Sequence, residues 1–183
     1  MLLRILKVSL LTIPAMLVWA GDVPPEVQKV IPIVKAWGED PTLVAAVRER
    51  NAQSTSLTDV QAKDREWQAF TGVSPFMESL IKNAAGTRLV ELETSSPWYF
   101  EVFLMDQLGA NVAMTNKTSD YWQGDEAKFT ESFKNGVGAV HVSEAKFDES
   151  AQAYLIQVSV PVMDEGKAIG ALTVGVNLDE LAE

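Results

Sequence analysis

The sequence contains no cysteine and only one histidine, His141. The first absence excludes disulfides, thiolate metal sites and cysteine nucleophiles. The second excludes a centre built from several histidines, and a Ser-His-Asp triad would have to use His141. Basic residues are scarce as well: 15 Lys and Arg stand against 25 Asp and Glu, a net charge of −10. Phosphate backbones need clustered Lys and Arg, so nucleic acid is not an expected partner, and an anionic membrane surface is equally disfavoured. The chain has no P-loop glycine pattern, dinucleotide fingerprint or nucleophile elbow. It also lacks the alternating acidic spacing of a calcium loop. Neither a cofactor, a metal nor a catalytic role is expected. Beyond the N-terminus, no apolar run approaches the ~20 residues of a membrane-spanning helix.

What is present begins with a targeting pattern. Arg4 and Lys7 precede an uncharged, mostly apolar stretch over residues 8–20, which ends Val18-Trp19-Ala20 before Gly21-Asp22-Val23-Pro24-Pro25. A basic start, a short apolar run and small residues at the cleavage position read as a signal peptide over residues 1–20. The alternative is an uncleaved anchor, although the run is short and contains Pro14. Removal of Arg4 and Lys7 takes the net charge from −10 to −12. The expected location is periplasmic or secreted.

Residues 21–87 read as helices. Val27, Val30, Ile31, Val34 and Trp37 recur at helical spacing, with Pro32 expected to kink or split the element. Asp40-Pro41 is a cap followed by a first-turn proline. Thr58-Asp59-Val60-Gln61 fits a capping box, Gly72 a helix end, Ser74-Pro75 a new start, and Gly86 its close. Residues 88–183 read as strands around one helix. The strands fall at residues 100–105, 110–115, 140–142, 153–163 and 168–176, and the helix at 125–134. Turns are expected at Asp106-Gln107-Leu108-Gly109, Phe147-Asp148-Glu149-Ser150 and Asp164-Glu165-Gly166-Lys167. Two strands, a helical crossover and a three-stranded meander give an α+β fold. It has a PAS-like five-stranded antiparallel sheet, the crossover over one face and the long N-terminal helices on the other.

Three stretches resemble the Cache (PDC) family of extracellular sensor domains: residues 102–113, with Asp106 and Gly109 framing the first hairpin; Thr118-Ser119-Asp120-Tyr121-Trp122-Gln123-Gly124-Asp125-Glu126, leading into the crossover; and residues 148–161 with 166–175, the final hairpin. The resemblance covers about residues 88–180 and implies a single-Cache domain that holds a small molecule between sheet and crossover. It also implies a ligand class of small carboxylates, amino acids or similar metabolites. Family members usually continue into a transmembrane helix and an output module. This sequence ends at Glu183, so any signal is expected to pass through a membrane-bound partner.

The candidate ligand-binding residues are Asp120, Tyr121, Trp122, Gln123, His141 and Tyr154. Aromatic walls with a few polar groups make a small-ligand pocket, and the first four supply both within one stretch. Asp120 or Asp125 serves equally well as a helix cap. His141, between Val140 and Val142, points either into the pocket or to solvent. Tyr154 and Gln157 lie on opposite strand faces, so only one can enter the pocket. Phe103 and Met105 share a face and suit the core. Lys117 or Lys128 would balance a carboxylate ligand. Glu39-Asp40 is explained by capping, and Asp164-Glu165 by a solvated turn. The rival reading is a protein-interaction module that self-associates, or docks on a membrane-bound signalling protein, through its N-terminal helices. An apolar stripe left exposed between Val27 and Trp37 would favour it.

Overall fold

The computed structural model describes residues 23–149 and 151–182. The expected signal peptide over residues 1–20 lies outside them. Five helices come first: α1 (Pro25–Trp37), α2 (Pro41–Asn51), α3 (Leu57–Ala69), α4 (Pro75–Lys82) and α5 (Ala84–Glu93). Strands β1 (Tyr99–Met105) and β2 (Asn111–Met114) follow, then the crossover helix α6 (Ala127–Phe133). Strands β3 (His141–Val142), β4 (Lys146–Asp148), β5 (Ala153–Asp164) and β6 (Lys167–Asn177) complete the sheet before the short α7 (Leu178–Leu181).

The caps explain most helix starts. The Asp40 carboxylate accepts N–H groups of Thr42 and Leu43 before Pro41 starts α2, and Ser74 caps α4. The α3 cap is Ser56, whose hydroxyl accepts from Asp59 N, two residues before the expected Thr58. Pro32 does not split α1, which runs from Pro25 to Trp37 with the proline on its exposed side. Gly86 does not close α4. It lies inside α5, where a Cβ would come within 2.2 Å of the Ile81 carbonyl oxygen. Its missing side chain lets two helices meet at Asn83, which ends α4 and caps α5.

The sheet order is β2-β1-β6-β5-β3, with β4 also on β5, and every pairing is antiparallel. It therefore has the five expected positions but six strands, because the outer position beside β5 is shared. β3 pairs there with Val158 and Ser159, and β4 with residues 153–155. The turn expected at Phe147-Asp148-Glu149-Ser150 begins later for the same reason: Phe147 and Asp148 are in β4. Phe147 meets Tyr154 edge-to-face with ring centroids 5.4 Å apart, while Asp148 Oδ1 accepts Ala151 N and starts the reversal. At the other end, Glu165 and Gly166 both have positive φ (48° and 81°), the two-residue hairpin geometry that matches strand twist.

Side chains alternate between the two sheet faces. Val102, Leu104, Val158, Val160, Leu172 and Val174 point to one face, against Val27, Val34, Leu43, Val47 and Leu89 of α1, α2 and α5. The other face presents Phe103, Met105 and Ala171 to Phe129 of the crossover, to Val60 and Trp67 of α3, and to Met77 of α4. The N-terminal helices thus divide between the faces, since α3 and α4 pass round the β2 edge. The apolar stripe of α1 is buried in the first layer, and Ile33 is its exposed apolar residue.

Gly170 shows how closely the layers meet: a Cβ there would lie 2.2 Å from the Met105 carbonyl oxygen and 2.9 Å from a Val47 methyl. Gly170→Ala is expected to destabilise the fold by about 3 kcal/mol, since backbone on one side cannot yield. Gly166→Ala, with open space but positive φ, should cost about 1 kcal/mol. Urea unfolding of the two variants checks the ranking.

Candidate functional site

The β1–β2 turn fixes the site's floor. The buried Asp106 carboxylate accepts N–H groups of Leu108 (2.8 Å) and Ala110 (3.0 Å). Gly109 takes φ 81°, and a Cβ on it would lie 2.5 Å from Gly124 Cα. This close approach lets residues 121–123 lie along the β2 edge. Asn111 N donates to the Tyr121 carbonyl (2.9 Å) and Gln123 N to that of Gly109 (2.8 Å).

Helix α3 holds this segment from outside. Asp64 Oδ1 accepts the backbone N–H groups of Tyr121 (2.8 Å) and Trp122 (3.0 Å). Trp67 Nε1 donates to the Thr118 carbonyl (2.9 Å), and Gln68 Nε2 to the Asp120 carboxylate (2.6 Å). Asp64 is buried and continues the Val60–Trp67 stripe of α3. A carboxylate survives there because two backbone donors and Gln68 meet it.

Against this segment lies a cleft of about 360 Å³. Its walls come from the C-terminal half of α2, from α4, from the α4–α5 junction, and from Asn111 and Tyr121. Phe76, Leu80 and Val112 make it partly apolar. Arg50 is its cation, donating to Tyr121 Oη (3.0 Å), Gln53 Oε1 (2.7 Å) and Thr55 Oγ1 (3.1 Å), with Nε 3.4 Å from Asp106 Oδ2. Burial pushes up the Asp106 carboxyl, opposed by its backbone hydrogen bonds and by Arg50. It likewise pushes up the Tyr121 hydroxyl, against the pull of Arg50.

Two polar features belong to the wall, one at its surface and one buried beneath it. Asn83 Oδ1 accepts Gly86 N (2.7 Å), so the cap does not serve the first-turn N–H groups of Ala84 and Ala85, which both line the cleft. Asn111 is 1% exposed; its Nδ2 donates to Thr118 Oγ1 (2.8 Å) and the Asp120 carbonyl (3.1 Å), while its Oδ1 has no partner. A positive helix end and a guanidinium together suit a ligand with a carboxylate.

The sequence-predicted residues separate. Tyr121 is in the cleft wall, edge-to-face with Phe76 (5.4 Å) and tilted against Trp67 (5.6 Å). Asp120 supports it from behind, accepting from Gln68 and Ser119, and α6 has no side-chain cap from Asp120 or Asp125. Trp122 Nε1 donates to the Leu108 carbonyl (2.8 Å). Gln123 is buried, and its Nε2 holds the Asp120 carbonyl (2.7 Å). His141 pairs with Ser159 on the crossover face, and burial lowers its pKa, with Glu131 opposing. Tyr154 is 53% exposed against Phe147, remote from the cleft. Lys117 donates to the Phe70 carbonyl (2.7 Å), and Lys128 pairs with Glu126 (3.1 Å). Asp164, expected to be solvated, accepts two bonds from Arg48 (2.6 and 2.9 Å).

Arg50, Asn83 and Asn111 were not legible as site residues. Arg50 did leave a trace, because it continues the buried Leu43–Val47 stripe of α2 as a charged residue. Asp64→Ala would leave two buried N–H groups unpaired and should cost about 3 kcal/mol, measured by urea unfolding. Asp64→Asn, which keeps an acceptor, should cost less.

Residues 64–183 match the family described as methyl-accepting chemotaxis protein-like, first PDC sensor domain. No curated protein matches the chain. Among solved structures it is similar to the V. cholerae histidine kinase DctB sensor domain: 16% identity and TM-score 0.46 over 85% of this chain and 50% of that one. For the sensory domain of the Campylobacter jejuni chemoreceptor Tlp3 the values are 18% and 0.44, over 85% and 64%. For the ligand-binding domain of the Pseudomonas aeruginosa PAO1 amino acid chemoreceptor PctC, in complex with GABA, they are 12% and 0.38, over 85% and 62%. The chain thus spans half to less than two-thirds of the length of these domains. No helix among the described residues is long and apolar enough to cross a membrane. The family match covers well over half of the sequence, and the chain belongs to the PDC sensor-domain family.

Proposed function

We propose that the chain is an exported sensor domain that binds a small carboxylate-bearing metabolite, of the amino-acid or organic-acid class, in the cleft between Arg50 and Tyr121. The observation that carries this reading is the Arg50 guanidinium, held on Tyr121 Oη in a cleft wall that also includes the α5 N-terminus. A ligand carboxylate meets the guanidinium and the N–H groups of Ala84 and Ala85. Phe76, Leu80 and Val112 cover an apolar body. The buried stripe of α1 gives the interaction-module reading no comparable support.

Export rests on the leader pattern of residues 1–20. N-terminal sequencing of the periplasmic protein should begin at Gly21, whereas an intact Met1 would mean a retained segment.

A thermal-shift panel of L-valine, L-isoleucine, GABA, succinate and acetate tests the ligand class. A compound binding only the native state adds about 2.7 kcal/mol at a hundredfold excess over Kd, so at least one should raise Tm. Arg50→Met should weaken that compound by about tenfold or more, the loss of one charge-assisted contact, and Tyr121→Phe by less. A folded protein that binds none of the five, checked by calorimetry, would rule out this reading.

A further inference from the structure

The α2 wall of the cleft is one helical stripe. Ala46, Glu49 and Arg50 line it, with Gln53 just past the helix end, at the spacing that puts side chains on one side of a helix. Among the described lining residues, Arg50 is the one cation and Glu49 the one acid. The two are placed very differently. Arg50 is fixed by Tyr121, Gln53, Thr55 and Asp106. Glu49 is exposed, and among the described residues its carboxylate has neither a hydrogen bond nor an ion pair. Both of its sequence neighbours are arginines, yet neither neutralises it. Arg48 turns to Asp164 in a two-bond pair (2.6 and 2.9 Å), and Arg50 turns into the cleft. An uncompensated negative charge therefore stands in the same wall as the guanidinium.

We infer that Glu49 is the charge filter of the cleft: it receives a ligand ammonium, while Arg50 and the N–H groups of Ala84 and Ala85 receive the carboxylate. This rests on the cleft reading above and narrows it to zwitterions, in preference to plain carboxylates of the same shape and to dicarboxylates.

The sign follows from Coulomb's law. A ligand already held by its carboxylate brings the rest of its body into the field of Glu49, which attracts a positive group there and repels a second negative one. Rejection by an unpaired like charge is as much a part of specificity as attraction. The size follows from exposure. Solvent reaches Glu49, and exposed ion pairs contribute little, so the filter sets a preference of about fivefold. The bulk of the affinity comes from Arg50 and the apolar walls. The preference should shrink with salt, because the screening length falls from about 10 Å at 0.1 M to about 3 Å at 1 M.

Calorimetric titration of the full chain with two matched pairs tests this: L-valine against 3-methylbutanoate, and GABA against butanoate. The members of each pair differ by an ammonium group alone. The wild type should bind the amino member of at least one pair about fivefold more tightly. Glu49→Gln should remove that preference and strengthen succinate binding by a similar factor. Glu144→Gln removes an equal charge from the exposed connection between β3 and β4, and should leave the preference intact. The same preference in Glu49→Gln as in the wild type, or an equal loss in Glu144→Gln, would overturn the inference and leave the cleft standing. So would a wild type that binds the deaminated members as tightly, or that binds only succinate or acetate. A folded wild type that binds none of these compounds would overturn the cleft reading and this inference together.

Discussion

The two bonds from Tyr121 N and Trp122 N to Asp64 Oδ1 are the constraint on which the cleft depends. The stretch between β2 and α6 is irregular backbone pressed into the protein, and buried backbone groups must be paired. The β2 edge satisfies some of them, through Asn111 and Gln123. The remainder need an acceptor from outside the sheet, and only a helix passing round the edge can bring one. The sequence Ser56-Leu57 to Trp67 does this by placing a carboxylate on an apolar stripe. Without it Tyr121 would have no fixed position, and the cleft would lose the wall that orients Arg50.

Charge placement in the cleft follows the same logic on a smaller scale. The protein is strongly acidic overall, yet its cleft is organised around a cation. Arg50 is not left bare: Asp106, itself buried and held by two N–H groups, lies beside it. The guanidinium is thereby kept in one orientation by Tyr121, Gln53 and Thr55. A preorganised fork loses little entropy on meeting a carboxylate. The net charge of the chain therefore says little about the sign of its ligand; the local array decides that.

The sheet was legible because its signals are local. Alternation along residues 153–163, the Glu165-Gly166 turn and the Asp106–Gly109 turn each fix backbone geometry within a few residues. Asp40-Pro41 and Ser74-Pro75 marked helix starts for the same reason. Short elements were less legible: three residues of β4 look like a turn until Tyr154 supplies a partner. The candidate site was half legible. Tyr121 falls in a recognisable stretch, but its neighbours Arg50, Asn83 and Asn111 come from 71, 38 and 10 positions earlier in the sequence. No short-range pattern joins them. The usable clue was chemical, since Arg50 and Asp64 are charges at positions that helical spacing assigns to the core.

The two faces of the sheet also differ in kind. The α1 face is packed with Val and Leu, whose branched side chains have few rotamers and interlock. The opposite face uses Met77, Met105 and Met114 with Phe103, Tyr121 and Phe129. Methionine is unbranched and fills irregular space at low cost, so this layer can repack where the other cannot. Gly170 is where the two layers approach most tightly through β6. With no side chain, β6 comes close to both the Met105 carbonyl and Val47 of α2, the helix that carries Arg50.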